Sequence, residues 1–351
     1  MNKKRLTRIF IVLVVITLYL GIATKVELSR TATPLPNAGS ASTTSLTSMP
    51  VDRAQLLGDV RTLSSPAFGG RKTGTNGNRK ARDFVRARFK AIQLRAFGAD
   101  YAQPFSFTHR SIKGLLLPGK PYKTAYPSAT NLIGYFPGTV RPDRYIVISA
   151  HYDHLGMKSG KLYPGADDNA SGVAAMLAIA AWFRSNPPLH SVVFVAFDGE
   201  EEGLRGAKAF MAAPPFPRSQ LALNLNLDMV SRSDANEIFV AGIRYSPALM
   251  PLLAQVALNS MVNIRVGHDR PQWMTGLIED WTHASDQGPF HDAGVPFLYV
   301  GVEDHPDYHA PGDTFEHVDQ VFFGNVADML VNLAAQLDQH LDTTIPAAGR
   351  K

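Results

Sequence analysis

Three consecutive glutamates, Glu200, Glu201 and Glu202 in "FVAFDGEEEGLRGA", follow directly on an apolar run. Carboxylates held together repel and raise one another's pKa unless a cation compensates them. The same residue types recur at the ends of other apolar runs. "RYIVISA" runs into His151 of "HYDHLG", "SVVFVAF" into Asp198 and the glutamates, "LALNLNL" into Asp228, and "VPFLYVGV" into "EDHPDYHAPGDT". The turn "PGADDNASG" contributes Asp167 and Asp168. A His/Asp/Glu set without cysteine suits zinc, manganese or cobalt better than calcium or magnesium. Five ligands, one of them a shared carboxylate, suffice for two ions about 3.5–4 Å apart; such a pair activates water and polarises a carbonyl, as amide hydrolysis requires. The reaction also needs a general base that is not itself a ligand. Adjacent residues point in different directions, so neighbouring glutamates can divide the two roles.

The elements that must deliver these residues are legible as well. "RAQLLGDVRTLS" and "NGNRKARDFVRARFKAIQL" have helical apolar spacing, and "ASGVAAMLAIAAWFRSN" is an alanine-rich helix. Helices are also expected at about 246–259 and within 319–341. "TNLIGYF", "RYIVISA", "SVVFVAF", "LALNLNLDM", "EIFVAG" and "VPFLYVGV" read as strands. Strands alternating with helices predict an α/β three-layer sandwich, with a mixed, largely parallel central sheet flanked by helices. In such sheets the active site lies at the C-terminal ends of the strands, where four of these strands place His or carboxylate.

The chain has 351 residues, 45% hydrophobic and 19% charged, with a net charge of +5. "MNKKRLTR" alone supplies four of the 35 basic residues, and no later stretch interleaves Lys/Arg with aromatics, so no nucleic-acid partner is expected. "IFIVLVVITLYLGIAT" then completes the pattern of an export signal. Residues 1–24 are read as a signal peptide or signal anchor, which places the remainder in a periplasmic or extracellular location, secreted or held to the membrane by this segment. Residues 25–50, rich in Ser, Thr and Pro, are read as a flexible linker. Residues 51–345 form the catalytic domain. With no cysteines, its stability must come from packing.

Taken in order, "HYDHLG", "PGADDNASG", "FDGEEEGLRGA", "NLDM" and "HPDYHAPGDT" resemble the zinc aminopeptidase family, metallopeptidase family 28, which includes bacterial leucyl aminopeptidases. Glutamate carboxypeptidases and glutaminyl cyclases are its relatives. "GGRKTGTNGNRKARDFV" and "ASDQGPFHDAGVPFLYV" are similar to the same family, and the resemblance extends over about Leu56 to Leu341. It implies two zinc ions, one held by His151 and Asp228, the other by Glu201 and His309, with Asp168 bridging them. It implies Glu200 as general base and Asp153 as the carboxylate that orients His151. The activity implied is aminopeptidase hydrolysis of a peptide substrate.

Other residues receive plainer readings. Glu202 is expected to be solvated and His154 to serve a turn or the surface. Asp167 and Asn169 are expected to shape their turn, and Asp286 to support the site from outside the ligand set. His268, His283, His291, His305 and His317 are read as surface or capping histidines. Trp273 and Trp281 either wall a pocket or pack beneath a loop; Asn224 and Asn226 are either buried partners or pocket lining. Two related activities share the scaffold. A glutaminyl cyclase would use a single zinc. A carboxypeptidase or dipeptidase would need basic residues, with Arg205, Arg232 and Arg244 as candidates, to grip a terminal carboxylate. A non-catalytic binding module normally lacks ligands, and none is missing here. No long segment interrupts the motifs, so no large inserted lid is expected.

Overall fold

The computed structural model describes residues 32–36, 51–110, 122–270 and 279–347. The expected export segment and Trp273 lie outside them. Among the described residues, no helix is long and apolar enough to cross a membrane.

A nine-stranded sheet organises the chain. Its strands are β1 (Thr33–Pro34), β2 (Ala102–Arg110), β3 (Lys123–Phe136), β4 (Arg141–His151), β7 (His190–Phe197), β8 (Leu221–Leu227), β9 (Glu237–Ala241), β10 (Asn263–Val266) and β11 (Phe297–Gly301). β5 (Gly156–Lys158) and β6 (Lys161–Tyr163) form a separate small hairpin. The spatial order is β1-β10-β9-β11-β8-β4-β7-β3-β2. The central strands β11, β8, β4 and β7 run parallel to one another, while antiparallel pairings bring in β9 on one side and β3 and β2 on the other. The parallel character is thus concentrated where the site is built.

The helices are α1 (Arg53–Leu63), α2 (Asn76–Ile92), α3 (Gly172–Ser185), α4 (Arg205–Ala212), α5 (Met250–Leu258), α6 (Gly288–Asp292) and α7 (Gln320–Thr344). Each of the first two starts at a side-chain cap: Asp52 accepts the Gln55 N–H, and Thr75 accepts the Asn78 N–H. On α2, Ala81, Val85, Phe89 and Ile92 recur at three- to four-residue spacing and are all buried.

The continuous apolar run of β7 has a simple cause. Val192, Phe194 and Ala196 face a core shared with α1, α2, α3, α5 and α7, whereas Val193, Val195 and Phe197 face a second core with α4 and α6. A strand covered on both faces has no solvent side on which to place polar residues. β8 alternates for a different reason. Leu223, Leu225 and Leu227 join the larger core, and its asparagines are buried on the other face as hydrogen-bonding partners. Asn226 Nδ2 donates to Ser285 Oγ and Gln287 Oε1, both at 3.0 Å, and Asn224 Nδ2 donates to Ser149 Oγ at 2.9 Å.

Three expectations need revising. Thr33–Pro34, inside the expected linker, pairs with β10 at the sheet edge as a short strand. β2 was not anticipated: Pro104 interrupts its pattern, and its period-two alternation is carried by few apolar residues. The strand expected at "TNLIGYF" extends back to Lys123 because β2 pairs along its length.

Candidate metal centre

β4 ends at His151, β7 leads through Asp198 to Glu200, and β8 leads to Asp228, so parallel neighbours deliver their terminal residues to one edge. His151 Nε2 lies 3.3 Å from Asp168 Oδ1 and 3.3 Å from Asp228 Oδ1. The second oxygen of Asp168 faces elsewhere: Oδ2 is 3.1 Å from His309 Nε2, which is itself 3.5 Å from Glu201 Oε2. One carboxylate therefore presents an oxygen to each of two clusters. His151, Asp168 and Asp228 form one set of ligand atoms within reach of a single ion, and His154, Asp168 and Glu201 form a second.

Asp168 is held by its turn. Asp313 accepts the main-chain N–H groups of Asp167 and Asp168 at 2.9 and 3.0 Å. Asp167 Oδ1 accepts Ser231 N–H and Oγ, both at 2.8 Å, and Asn169 Oδ1 accepts Gly172 N–H at 2.9 Å. These flanking residues shape the turn, as expected of them.

The glutamates are separated by a tight reversal. Gly203 and Leu204 both donate main-chain N–H groups to the Glu200 carbonyl at 2.8 Å, and Gly199, Gly203 and Leu204 adopt left-handed backbone. Glu201 turns toward Asp168 and His309. Glu202 does not reach solvent, contrary to expectation; it is 7% exposed. Its Oε1 accepts from Lys72 Nζ at 2.5 Å and Tyr126 Oη at 2.7 Å, and its Oε2 lies 3.0 Å from His109 Nδ1. A buried carboxylate needs such partners, and these lie far away in sequence.

Asp153 is fully buried, but its carboxylate is 3.8 Å from His151 Nδ1. The imidazole's nearer partner is the Asp153 carbonyl, at 3.1 Å. The carboxylate instead accepts Glu200 N–H and Thr73 Oγ1, both at 3.1 Å. It fixes the position of Glu200 as much as that of His151.

His154 is a second correction. It is buried, with Nδ1 2.7 Å from Glu201 Oε1 and 3.6 Å from Asp168 Oδ2. His305 is also drawn inward, its Nε2 3.2 Å from Asp167 Oδ2. His268 stacks on Trp281 at 3.7 Å, and both are buried, so Trp281 packs within the fold. Asp286 is fully buried with no hydrogen-bond partner for either oxygen, and burial next to Asp228 pushes it up to about 7.

The electrostatics match this crowding. Burial raises the Glu200 carboxyl well above its usual range, and Asp286, Asp228 and Glu201 add to the effect against His151. Burial also opposes the charge on Asp168, yet His154, His151 and His309 outweigh it and hold Asp168 well below the usual range. Beneath the cluster sits Arg71, an unexpected participant that is completely buried. It donates to five main-chain carbonyls: Tyr152, Leu63, Pro164, Gly165 and Asp168. The only available signal was its place in "GGRKTG". A donor set of two to three histidines and at least three carboxylates, with Glu201 Oε1 buried and unpartnered, fits a divalent metal.

The model of peptidase family M28 matches residues 131–334, more than half of the chain. The chain is 28% identical over 215 residues to aminopeptidase YwaD of Bacillus subtilis, a match covering 58% of this chain and 43% of that protein. It spans less than half the length of this and several other curated relatives. Among solved structures, a zinc aminopeptidase from Bacillus subtilis superposes with a TM-score of 0.61 at 18% identity, covering 82% of this chain and 95% of that one. Fimbriiglobus ruber glutaminyl cyclase superposes with a TM-score of 0.63 at 20% identity, covering 85% and 99%. At these identities the structural likeness concerns the fold.

Proposed function

The chain belongs to peptidase family M28, and from that premise we propose that it is a zinc-dependent aminopeptidase with a co-catalytic pair of ions. The observation that carries this reading is Asp168, with Oδ1 toward His151 and Oδ2 toward His309. His151 and Asp228 would hold one ion and Glu201 and His309 the other, with Asp168 shared. Zinc held there supplies polarisation of the scissile carbonyl and activation of a water. Glu200, fixed through its N–H to Asp153 Oδ1, takes the proton of the attacking water and returns it to the leaving amine. The similarity to aminopeptidase YwaD supports an aminopeptidase over a carboxypeptidase. The substrate is a peptide with a free N-terminus, met outside the cytoplasm by a chain exported or anchored through residues 1–24. Recovery of the full chain in the cytosolic fraction would contradict that location.

Matched peptides with free and acetylated N-termini, incubated with the zinc-loaded protein with and without chelator, test the activity by mass spectrometry. Chelator-sensitive release of the first residue from free-amine peptides alone is expected. Pyroglutamate formation without cleavage would indicate a cyclase, release of the last residue a carboxypeptidase, and either would overturn the proposal.

A further inference from the structure

We propose that His154 is itself a metal ligand, giving the ion at the Glu201 position four protein ligands, His154, Asp168, Glu201 and His309. The inference rests on the two-ion reading above and adds a residue to it. His154 has no exposed side-chain surface, and neither of its ring nitrogens has a hydrogen-bond partner. Glu201 Oε1, 2.7 Å from Nδ1, is buried and unpartnered too. Two buried polar atoms thus touch without a hydrogen bond to satisfy either. Left that way, each has lost its hydration without a replacement, and a cation between them satisfies both.

The spacing supports the assignment. With zinc–nitrogen and zinc–oxygen bonds of about 2.0–2.2 Å, tetrahedral ligand atoms lie about 3.3–3.6 Å apart. Three contacts around this position come close to it, 3.1 Å (His309 to Asp168), 3.5 Å (His309 to Glu201) and 3.6 Å (His154 to Asp168), whereas the 2.7 Å from His154 to Glu201 is shorter and would have to open on binding. The ring is confined there: a Cβ on Gly165 would sit 2.5 Å from His154 Cδ2. The two positions would then differ in donor set, His151, Asp168 and Asp228 at one and His154 beside Asp168 and Glu201 at the other.

The test uses the cobalt-loaded protein. Because Nδ1, the ring nitrogen nearer Cβ, faces the cluster, a cysteine Sγ at 154 reaches the same point. His154→Cys should show a thiolate-to-cobalt charge-transfer band. His154→Asn, which keeps a polar atom at the Nδ1 position but is a poor ligand, should bind one ion more than 100-fold more weakly while retaining the other, read by native mass spectrometry under graded chelator. Outer-sphere contacts to a ligand are worth about 10–100-fold in affinity. A loss of 100-fold or less in His154→Asn, or no charge-transfer band in His154→Cys carrying two cobalt ions, would overturn the assignment and leave the proposed function standing. Uptake of fewer than two ions by the unmodified protein would overturn the two-ion reading and this inference with it.

Discussion

Arg71→Lys isolates hydrogen-bond geometry from charge. Arg71 occupies left-handed backbone, with φ of 52°, where a side chain is normally disfavoured. Its guanidinium meets carbonyls from the end of α1, from the residue after β4 and from the turn carrying Asp168. Lysine keeps the positive charge beneath the acidic cluster but carries only three donors. At least two of the five carbonyls therefore lose their partner. At about 1–3 kcal/mol for each buried orphan, the change destabilises the fold by about 2–6 kcal/mol. For a domain of this size about 1 kcal/mol corresponds to roughly 2 °C, so Tm should fall by about 4–12 °C. Thermal unfolding of the metal-free and zinc-loaded protein, followed by circular dichroism, measures it. A Tm within 2 °C of the unmodified protein would refute the view that Arg71 ties these segments together, and charge alone would then explain its burial.

Three further outcomes follow from the same structure. Burial, opposed by Arg88, pushes Asp59 up to about 6; the folded state then binds a proton that the unfolded state releases near pH 4, so stability falls as pH rises from about 4 to 6. Urea midpoints across that range should show the fall in the unmodified protein and a flatter profile in Asp59→Asn. Gly165→Ala should abolish zinc uptake, because its Cβ would lie 2.1 Å from the Asp168 carbonyl oxygen. Gly160→Ala, equally left-handed but with open space, should cost about 1–2 kcal/mol and retain zinc, as calorimetry and metal analysis would show. Glu202→Ala strands Tyr126 and leaves Lys72 and His109 without their carboxylate, and should destabilise by about 1–3 kcal/mol, read from the urea midpoint.

Much of the strand framework was legible because each buried strand writes its burial as an apolar run ending in a chemical residue. His151, Asp168, Glu201, Asp228 and His309 stand together in the fold, within the order their motifs suggested. What was not legible depends on partners distant in sequence. Nothing next to Glu202 announces Lys72, Tyr126 and His109, which arrive from other segments. His154 looked like a turn residue because its burial depends on Gly165 closing over it. Arg71 is a cation that a sequence pattern places at the surface, and only the convergence of five carbonyls explains its interior position. β2 escaped notice since its alternation has one side half-exposed and Pro104 within it.

In the proposed mechanism the two neighbouring glutamates have different work, Glu201 to hold metal and Glu200 to move the proton. Turnover of a free-amine peptide and bound zinc, measured on the same sample of Glu200→Gln, address this directly. Two zinc ions per chain and a kcat lowered by about 10²–10⁴-fold are expected. A kcat within tenfold of the unmodified enzyme, or loss of zinc alongside activity, would contradict it.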